Sequence, residues 1–369
     1  MKIGFDAKRF FNNKTGLGNY SRTLLKNIFK VQPENNYILY SPKKNDKEAS
    51  AKNHSYTLKS SSKLLWRERG IVADLKNDGV QIYHGLSNEI PIGIHKSGIK
   101  SIVTIHDLIF KIYPKTYNYF DTKIYDFKFK YACKNADKVL AISESTKRDI
   151  IEIYNVPSER IEVVYQACNP IFYTLQNAEQ IDEHLKEYNL PECFMLYVGS
   201  VIERKNVLTI VKAQEQINTS NRIPLVIVGK GGAYKKQVEQ YIRDKNLDEY
   251  FIWLDNLEND EHLQALYQKA ELFIYPSIYE GFGIPVVEAL LSKTPVITSN
   301  VSSLPEAAGP NSICIDPQDE NLMKESIERI LSNDILRQDM VENGYAYALD
   351  NFDGEKCAKK VLELYQKLL

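Results

Sequence analysis

The sequence predicts an α/β protein made of two doubly wound domains with parallel sheets. Three observations carry that prediction. Apolar strand-like runs alternate with helical patterns along most of the 369 residues, which is the order that βαβ units require. The chain is longer than one ordinary core supports. Loops rich in glycine and charge come after several of the strand-like runs, at the strand ends where open α/β sheets bind their ligands.

In the first half, strand-like runs fall at 3–5, 37–40, 80–83, 101–105, 139–142 and 161–164, with helical patterns at 19–30, 64–77, 118–135 and 144–154. In the second half they fall at 194–198, 225–228, 251–254, 272–275, 296–298 and 312–315, with helices at 207–217, 234–245, 261–270 and 286–292. Each half therefore has about six strands, enough for one doubly wound sheet. The pattern breaks within 167–190, at Cys168-Asn169-Pro170 and a polar stretch from Gln176 to Gln180. After Asp316-Pro317 the strands stop and helices are expected at 320–332, 335–349 and 355–369. These breaks divide the chain into a first domain over 1–171, a second over 172–350 and a terminal segment over 351–369. A polar patch at 43–63 carries no element in this reading.

Composition is that of an ordinary soluble protein, 43% hydrophobic and 26% charged. No apolar run approaches the roughly 18 residues that a spanning helix needs, and the N-terminus lacks the apolar core of a signal peptide. The expected location is the cytoplasm, including the inner face of the cell membrane. The five cysteines are odd in number and widely spaced, so buried free thiols are expected rather than a disulfide frame or a zinc site. Charge is split between the halves. Residues 1–171 carry 28 Lys and Arg against 17 Asp and Glu, and residues 172–369 carry 19 against 31. Either the first half meets something anionic (a membrane surface, a lipid phosphate or nucleic acid) or the halves attract one another.

The most informative stretch is Glu280-Gly281-Phe282-Gly283-Ile284-Pro285-Val286-Val287-Glu288. It comes after a buried strand-like run, and Gly281 and Gly283 open the turn into a helix. Free N–H groups and the positive end of the helix dipole suit an anion there, while the carboxylates suit sugar hydroxyls. Arg204 and Lys205, in the loop before a helix start, supply two cations for a pyrophosphate, with Asn206 as the expected N-cap. Gly229-Lys230-Gly231-Gly232 is a second ligand-facing loop or a plain turn. Gly16-Leu17-Gly18-Asn19-Tyr20 opens a helix after the first strand. Its loop is too long for a dinucleotide turn, and no acidic residue ends a second strand. His106 ends a strand, where it faces a crevice or makes a structural hydrogen bond, and Asp107 orients it or caps the next turn. The helix over 113–138 interleaves aromatic residues with lysines, which fits either an anionic lipid surface or rings packed on the sheet with solvated lysines. No Asp-x-Asp and no P-loop pattern occurs, so leaving-group charge falls to Lys, Arg and a helix end rather than to a metal.

Taken together, these residues resemble the family 4 glycosyltransferases of GT-B fold. The family's E-x7-E element corresponds to Glu280 and Glu288, and Val198-Gly199, Arg204-Lys205-Asn206 and Ser302-Ser303-Leu304-Pro305-Glu306-Ala307-Ala308-Gly309 also match. Gly16 to Tyr20 and Thr104-Ile105-His106-Asp107-Leu108 are similar to the subset that builds surface polysaccharides, mannosyltransferases among them. The resemblance implies two Rossmann-like domains facing an interdomain cleft, with the last helix crossing back to the first domain. It implies metal-free, retaining transfer of a hexose from a nucleotide diphosphate sugar to a saccharide or lipid-linked acceptor, with no cofactor and no nucleic acid. Glu280 would hold the sugar, Glu288 the ribose, and Arg204 and Lys205 the diphosphate. Gly281, Phe282 and Gly283 would approach it through their backbone, Gly16 and Gly18 would line the opposite wall, and His106 would face the reacting carbon. Many relatives place an arginine earlier in the loop after Val-Gly, where Ser200 stands here. A sugar-nucleotide epimerase and a non-catalytic sugar-nucleotide-binding subunit are the alternatives.

Overall fold

The computed structural model describes residues 1–13, 15–42, 55–61, 65–257 and 259–369. They form two compact units, Met1–Ala167 with Phe352–Leu369, and Cys168–Asn351.

The first unit is a parallel sheet of seven strands among the described residues: β1 (Lys2–Asp6), β2 (Asn36–Ser41), β3 (Thr57–Ser60), β4 (Ile82–Gly85), β5 (Lys100–Ile105), β6 (Lys138–Ala141) and β7 (Ile161–Val163). Their order is β3-β2-β1-β4-β5-β6-β7. The chain therefore builds outward from β1, returns to β4 and builds the other way, which puts the topological switch point between β1 and β4. The inner strands are buried on both faces, as continuous apolar runs in a parallel sheet demand. Helices α1 (Gly16–Val31), α2 (Ile71–Asn77), α3 (Tyr119–Asn135) and α4 (Glu144–Tyr154) connect them. Helix α1 buries Ser21, Leu24, Leu25 and Ile28, one stripe at helical spacing. The C-terminal helix Gly354–Leu368 belongs to this unit, and its Tyr365 hydroxyl lies 2.6 Å from His84 Nδ1.

Three details depart from the sequence reading. Strand β3 lies inside the polar patch. It is an edge strand whose residues alternate between exposed and half-buried, so it needs no apolar run. Most of that patch, and Leu64 at the start of the predicted 64–77 helix, lie outside the described residues; Trp66–Gly70 forms a π-helical turn leading into α2. Strand β4 begins at Ile82 instead of Val80, because Val80 N–H closes the end of α2 on Leu75 O at 3.0 Å after Gly79 turns at φ +67°.

The second unit is a parallel sheet of six strands among the described residues: β8 (Met195–Val198), β9 (Leu225–Val228), β10 (Phe251–Leu254), β11 (Leu272–Tyr275), β12 (Val296–Ser299) and β13 (Ile313–Ile315). The order β10-β9-β8-β11-β12-β13 puts its switch point between β8 and β11. The helices are α5 (Ala178–Leu185), α6 (Val207–Gln216), α7 (Ala233–Asp244), α8 (Asp260–Lys269), α9 (Ile284–Leu291), α10 (Leu304–Ala308), α11 (Glu320–Leu331) and α12 (Asp334–Asn351). Helix α5 starts in the stretch read as a polar connector. Its signal was present as Asn177 and Gln180, which form a reciprocal capping box. Helix α9 is apolar nearly all round and buries Val286, Val287, Ala289, Leu290 and Leu291; each larger side chain contributes roughly 1.5–3 kcal/mol of burial. All five cysteines are free, with Cys133, Cys168 and Cys357 buried, Cys314 half-buried and Cys193 exposed. Among the described residues no helix is long and apolar enough to cross a membrane.

Candidate active site

In the second unit, the loops leaving β8 and β11 meet at the switch point. The turn Glu203–Lys205 and the loop after Tyr275 are joined through one carbonyl. Arg204 O accepts from Ile278 N–H at 2.8 Å and from Ser277 Oγ at 3.1 Å. The Arg204 side chain donates to Tyr279 O and to Glu280 Oε1, the latter at 2.8 Å. Lys205 Nζ reaches the same Oε1 at 2.5 Å, donates to the Tyr275 hydroxyl and stands over the Tyr275 ring at 4.7 Å. Ser277 Oγ donates to Oε1 at 2.5 Å, and the Tyr275 hydroxyl donates to it at 3.4 Å. The structure thus brings Arg204, Lys205 and Glu280 into one buried cluster. Burial pushes the Glu280 carboxyl up, but Lys205 and Arg204 outweigh it and hold the group below its usual range. Arg204 and Lys205 thus share one carboxylate oxygen at this strand end.

These contacts all engage Glu280 Oε1. Its Oε1 is the point that arranges the two cations. Its loop is fixed from the other side: Glu280 N–H donates to Ser302 Oγ at 3.0 Å, and Ser303 Oγ donates to Glu280 O at 2.9 Å and to Phe282 O at 2.7 Å. Ser302 holds φ +54°, a costly conformation for a non-glycine residue. Gly283 adopts φ +124°, and a Cβ there would lie 2.9 Å from Leu304 Cδ2. Pro285, in the first turn of α9, has no N–H, so this helix start presents fewer anion-binding groups than expected. Asn206 stands at the N-cap of α6 but accepts from Thr209 Oγ1 and donates to Pro317 O, with no side-chain bond to the helix backbone.

Glu288 lies in a different environment. On α9, its Oε2 accepts from the Tyr267 hydroxyl at 3.1 Å. Burial pushes its carboxyl up to about 7; the Tyr267 hydrogen bond opposes this and Asp260 adds to it. The matched spacing in sequence thus yields one acid held ionised and one held near its midpoint at neutral pH. Because the folded group binds its proton more tightly than an unfolded glutamate, Glu288 adds stability at low pH and loses it as pH rises from about 4.5 to about 7. Buried His84 and His106 act oppositely over part of this range, so the test is a difference between proteins. The Glu288→Gln variant is expected to lack this fall, leaving a difference of about 2 kcal/mol between pH 5 and pH 8 in urea titrations, a value reduced from the full shift for the partly solvated edge of the residue. Parallel curves would remove the assignment.

The glycine-rich loops separate by cause. A Cβ on Gly229 would lie 1.9 Å from Gly199 O, and Gly229 adopts φ +154°. The loops after β8 and β9 pack backbone to backbone, which accounts for Gly229 without a ligand. In the first unit, a Cβ on Gly18 would lie 1.8 Å from Asn13 O, whereas one on Gly16 would meet nothing within 4 Å. Of these two glycines, Gly16 is the one with open space beside it among the described residues. Two residues after Gly18, Tyr20 sets its ring edge-on to His106, 4.6 Å between centroids, and its hydroxyl lies 3.0 Å from Thr104 Oγ1. His106 is buried. Burial chiefly, with Arg9 adding and a bond to Leu86 O opposing, lowers its pKa to about 4. The ring is neutral, and Nε2 must donate to Leu86 O at 2.9 Å, which leaves Nδ1 as the acceptor. Asp107 Oδ1 caps the next turn by accepting from Ile109 N–H. Tyr267, Tyr275 and Ser277 were given no role from sequence, and Tyr20, Ser302 and Ser303 were named there only as members of matched motifs. Of these only Ser302, at a positive φ in a matched segment, carries an unusual feature, and it is one of conformation. Among the described residues no group of three or more His, Cys, Asp or Glu is placed to hold a metal ion.

Comparison with known proteins places these features in context. Residues 178–347 match the family model described as glycosyl transferases group 1, and residues 39–170 match that of glycosyltransferase family 4. The chain is 28% identical to O-antigen chain mannosyltransferase B of Escherichia coli, with both proteins covered in full. It is 32% identical to O-antigen chain mannosyltransferase RfbU of Salmonella typhimurium over 62% of this chain and 60% of that one. Among solved structures it shares the fold of Anabaena HepE in complex with UDP (TM-score 0.77, 15% identity, both chains covered in full). It also shares that of WaaG, a glycosyltransferase involved in lipopolysaccharide biosynthesis (TM-score 0.72, 17% identity, 98% of this chain and 99% of that one).

Proposed function

The chain belongs to the family 4 glycosyltransferases of GT-B fold and resembles their mannosyltransferases, and on that premise we propose that it moves a hexose, mannose by its relatives' names, from a nucleotide diphosphate sugar to a saccharide or lipid-linked acceptor with retention at the anomeric carbon. The observation that carries this reading is the Arg204–Lys205–Glu280 cluster at the β8/β11 switch point. It is a preorganised pair of cations at the strand ends, positioned by a shared carboxylate before a ligand arrives. As the bond from the anomeric carbon to the diphosphate oxygen breaks, its electron pair leaves on the diphosphate, and Arg204 and Lys205 take up that charge. The acceptor hydroxyl oxygen bonds to the carbon on the same face, and its proton passes to the departing phosphate oxygen. Glu288 accepts from the ribose hydroxyls. The neutral Nδ1 of His106 accepts from a sugar hydroxyl, and Gly16 leaves room beside the first helix.

The test is a screen with UDP-, GDP- and ADP-sugars in the absence of acceptor, reading slow nucleotide release and thermal shift. A response to one nucleotide class supports the reading; no response to any overturns it. Transfer needs no divalent ion in this scheme, a view that rests on the cation pair and on the absence of Asp-x-Asp from the sequence. Activity is expected to survive EDTA within about twofold, and its abolition with recovery on added Mg²⁺ or Mn²⁺ would sink the metal-free step. The rings of Tyr119 and Phe120 on α3, exposed at 68% and 75%, support peripheral contact with a membrane surface in this reading.

A further inference from the structure

At the other switch point, between β1 and β4, the first unit holds a built site that the reaction scheme has not used. Asp6 ends β1, and Glu89 to Ile92 lie in the loop after β4. Between them Arg67 donates to both Asp6 carboxylate oxygens and, through Nη1, to Glu89 Oε2 at 2.7 Å. Lys128 on α3 reaches Glu89 at 3.1 Å and Glu68 at 3.9 Å. Beside it on α3 stand Phe127 and Tyr131, one helical turn apart, their rings stacked at 26° with centroids 6.4 Å apart. Phe127 is 62% exposed. The Tyr131 ring is held by its hydroxyl, which accepts from Gly93 N–H at 2.7 Å. A cavity of about 50 Å³ opens between the ion network and these rings.

We propose that this is the acceptor subsite, and that it takes the neutral, uncharged end of a saccharide, with a pyranose lying on the Phe127–Tyr131 platform and one exocyclic hydroxymethyl or hydroxyl group in the cavity beside Glu89. The proposal rests on the glycosyl-transfer reading and adds the chemistry of the acceptor. Charge decides the class of ligand. Among the residues that line the cavity, Asp6, Glu68 and Glu89 face Arg67 and Lys128. Three carboxylates against two cations leave no positive surplus for a phosphate. Carboxylates already oriented by ion pairs accept from hydroxyls. The exposed ring face offers its negative quadrupole to the C–H face of a sugar. Volume decides the pose. About 50 Å³ is one or two waters at a liquid share of about 30 Å³ each, too little for a sugar ring and enough for one of its substituents. The same carboxylates disfavour an anionic lipid surface at this point, unlike the Tyr119 and Phe120 end of α3.

Ligand-observed saturation-transfer NMR on the whole protein, without sugar nucleotide, reads the site directly with methyl α-D-mannopyranoside and a mannotriose as probes. Both are expected to receive saturation. Phe127→Ala and Glu89→Gln should each lower the effect at least about threefold with folding preserved by circular dichroism, while Phe120→Ser leaves it unchanged. In transfer assays Phe127→Ala should raise the KM for the mannotriose at least about tenfold and raise the share of sugar nucleotide lost to hydrolysis. Equal saturation in wild type, Phe127→Ala and Glu89→Gln overturns the proposal. So does loss in Phe127→Ala of binding to phosphatidylglycerol vesicles with saccharide contact intact, which would make this face a membrane surface. Failure of the sugar-nucleotide screen with saccharide binding present would instead count against glycosyl transfer and leave the platform standing.

Discussion

Lys205→Ala is expected to lower the rate of glycosyl transfer by more than tenfold, about 2–4 kcal/mol of transition-state stabilisation, the usual cost of removing one preorganised donor from a developing anion. The ammonium group sits 2.5 Å from Glu280 Oε1 and over the Tyr275 ring, so its position is set before a diphosphate binds. Interactions that strengthen as the leaving group gains charge act on kcat rather than KM. Most of the loss should therefore appear in kcat. Tyr275→Phe keeps the ring under the ammonium and removes only the hydroxyl, with its bonds to Lys205 and to Glu280 Oε1, so a smaller loss is expected. Steady-state nucleotide release with saturating acceptor, on protein of unchanged thermal midpoint, measures both. An unchanged kcat in Lys205→Ala would take this residue out of the reaction.

Glu280→Ala is expected to be the more damaging change for stability, at about 3–5 kcal/mol, because it removes the carboxylate oxygen that two largely buried cations share. Glu280→Gln keeps an acceptor oxygen toward Arg204, Lys205 and Ser277 and should cost less. The variant should also gain a response: with the carboxylate gone, inorganic pyrophosphate competes for both cations unopposed. Its thermal shift should exceed that of the wild type at equal concentration. Urea titration and thermal melts with and without pyrophosphate check both parts. A loss below about 1 kcal/mol, well under the range for breaking a buried pair, or equal shifts in the two proteins, would mean that Glu280 does not organise the cluster.

The strands were legible because a parallel sheet covered on both faces needs runs of apolar residues, and 225–228, 251–254 and 272–275 are such runs. β3 was not, since an edge strand with alternating exposure carries no such run. Helix α5 was hidden by its polar composition, although its capping box was written in Asn177 and Gln180. The grouping of Arg204, Lys205 and Glu280 as parts of one site was legible from the family resemblance of their motifs, while the adjacency of their strands came only with the sheet order. Their mutual ion pairing was not, because nothing in one loop's residues states which oxygen of another it will meet. Gly18 was expected on a ligand wall and Gly229 in a ligand loop or a plain turn, but the close packing that requires glycine at both, a backbone oxygen less than 2 Å from where a Cβ would stand, is visible only in the fold.

What the sequence determined by itself is therefore what periodicity and spacing can encode: an α/β chain, its order of strands and helices, and the family to which its motifs attach it. What only the tertiary structure decided is electrostatic. Glu280 and Glu288, eight positions apart, belong to one motif, but the folded chain surrounds the first with Lys205 and Arg204 and buries the second beside the Tyr267 hydroxyl. A carboxyl's proton affinity depends on the charges and the water around it, and both are supplied by residues from other strands and helices. The same holds for Phe127 and Tyr131, which in sequence are two rings of an aromatic helix and in the fold are a platform beside Glu89.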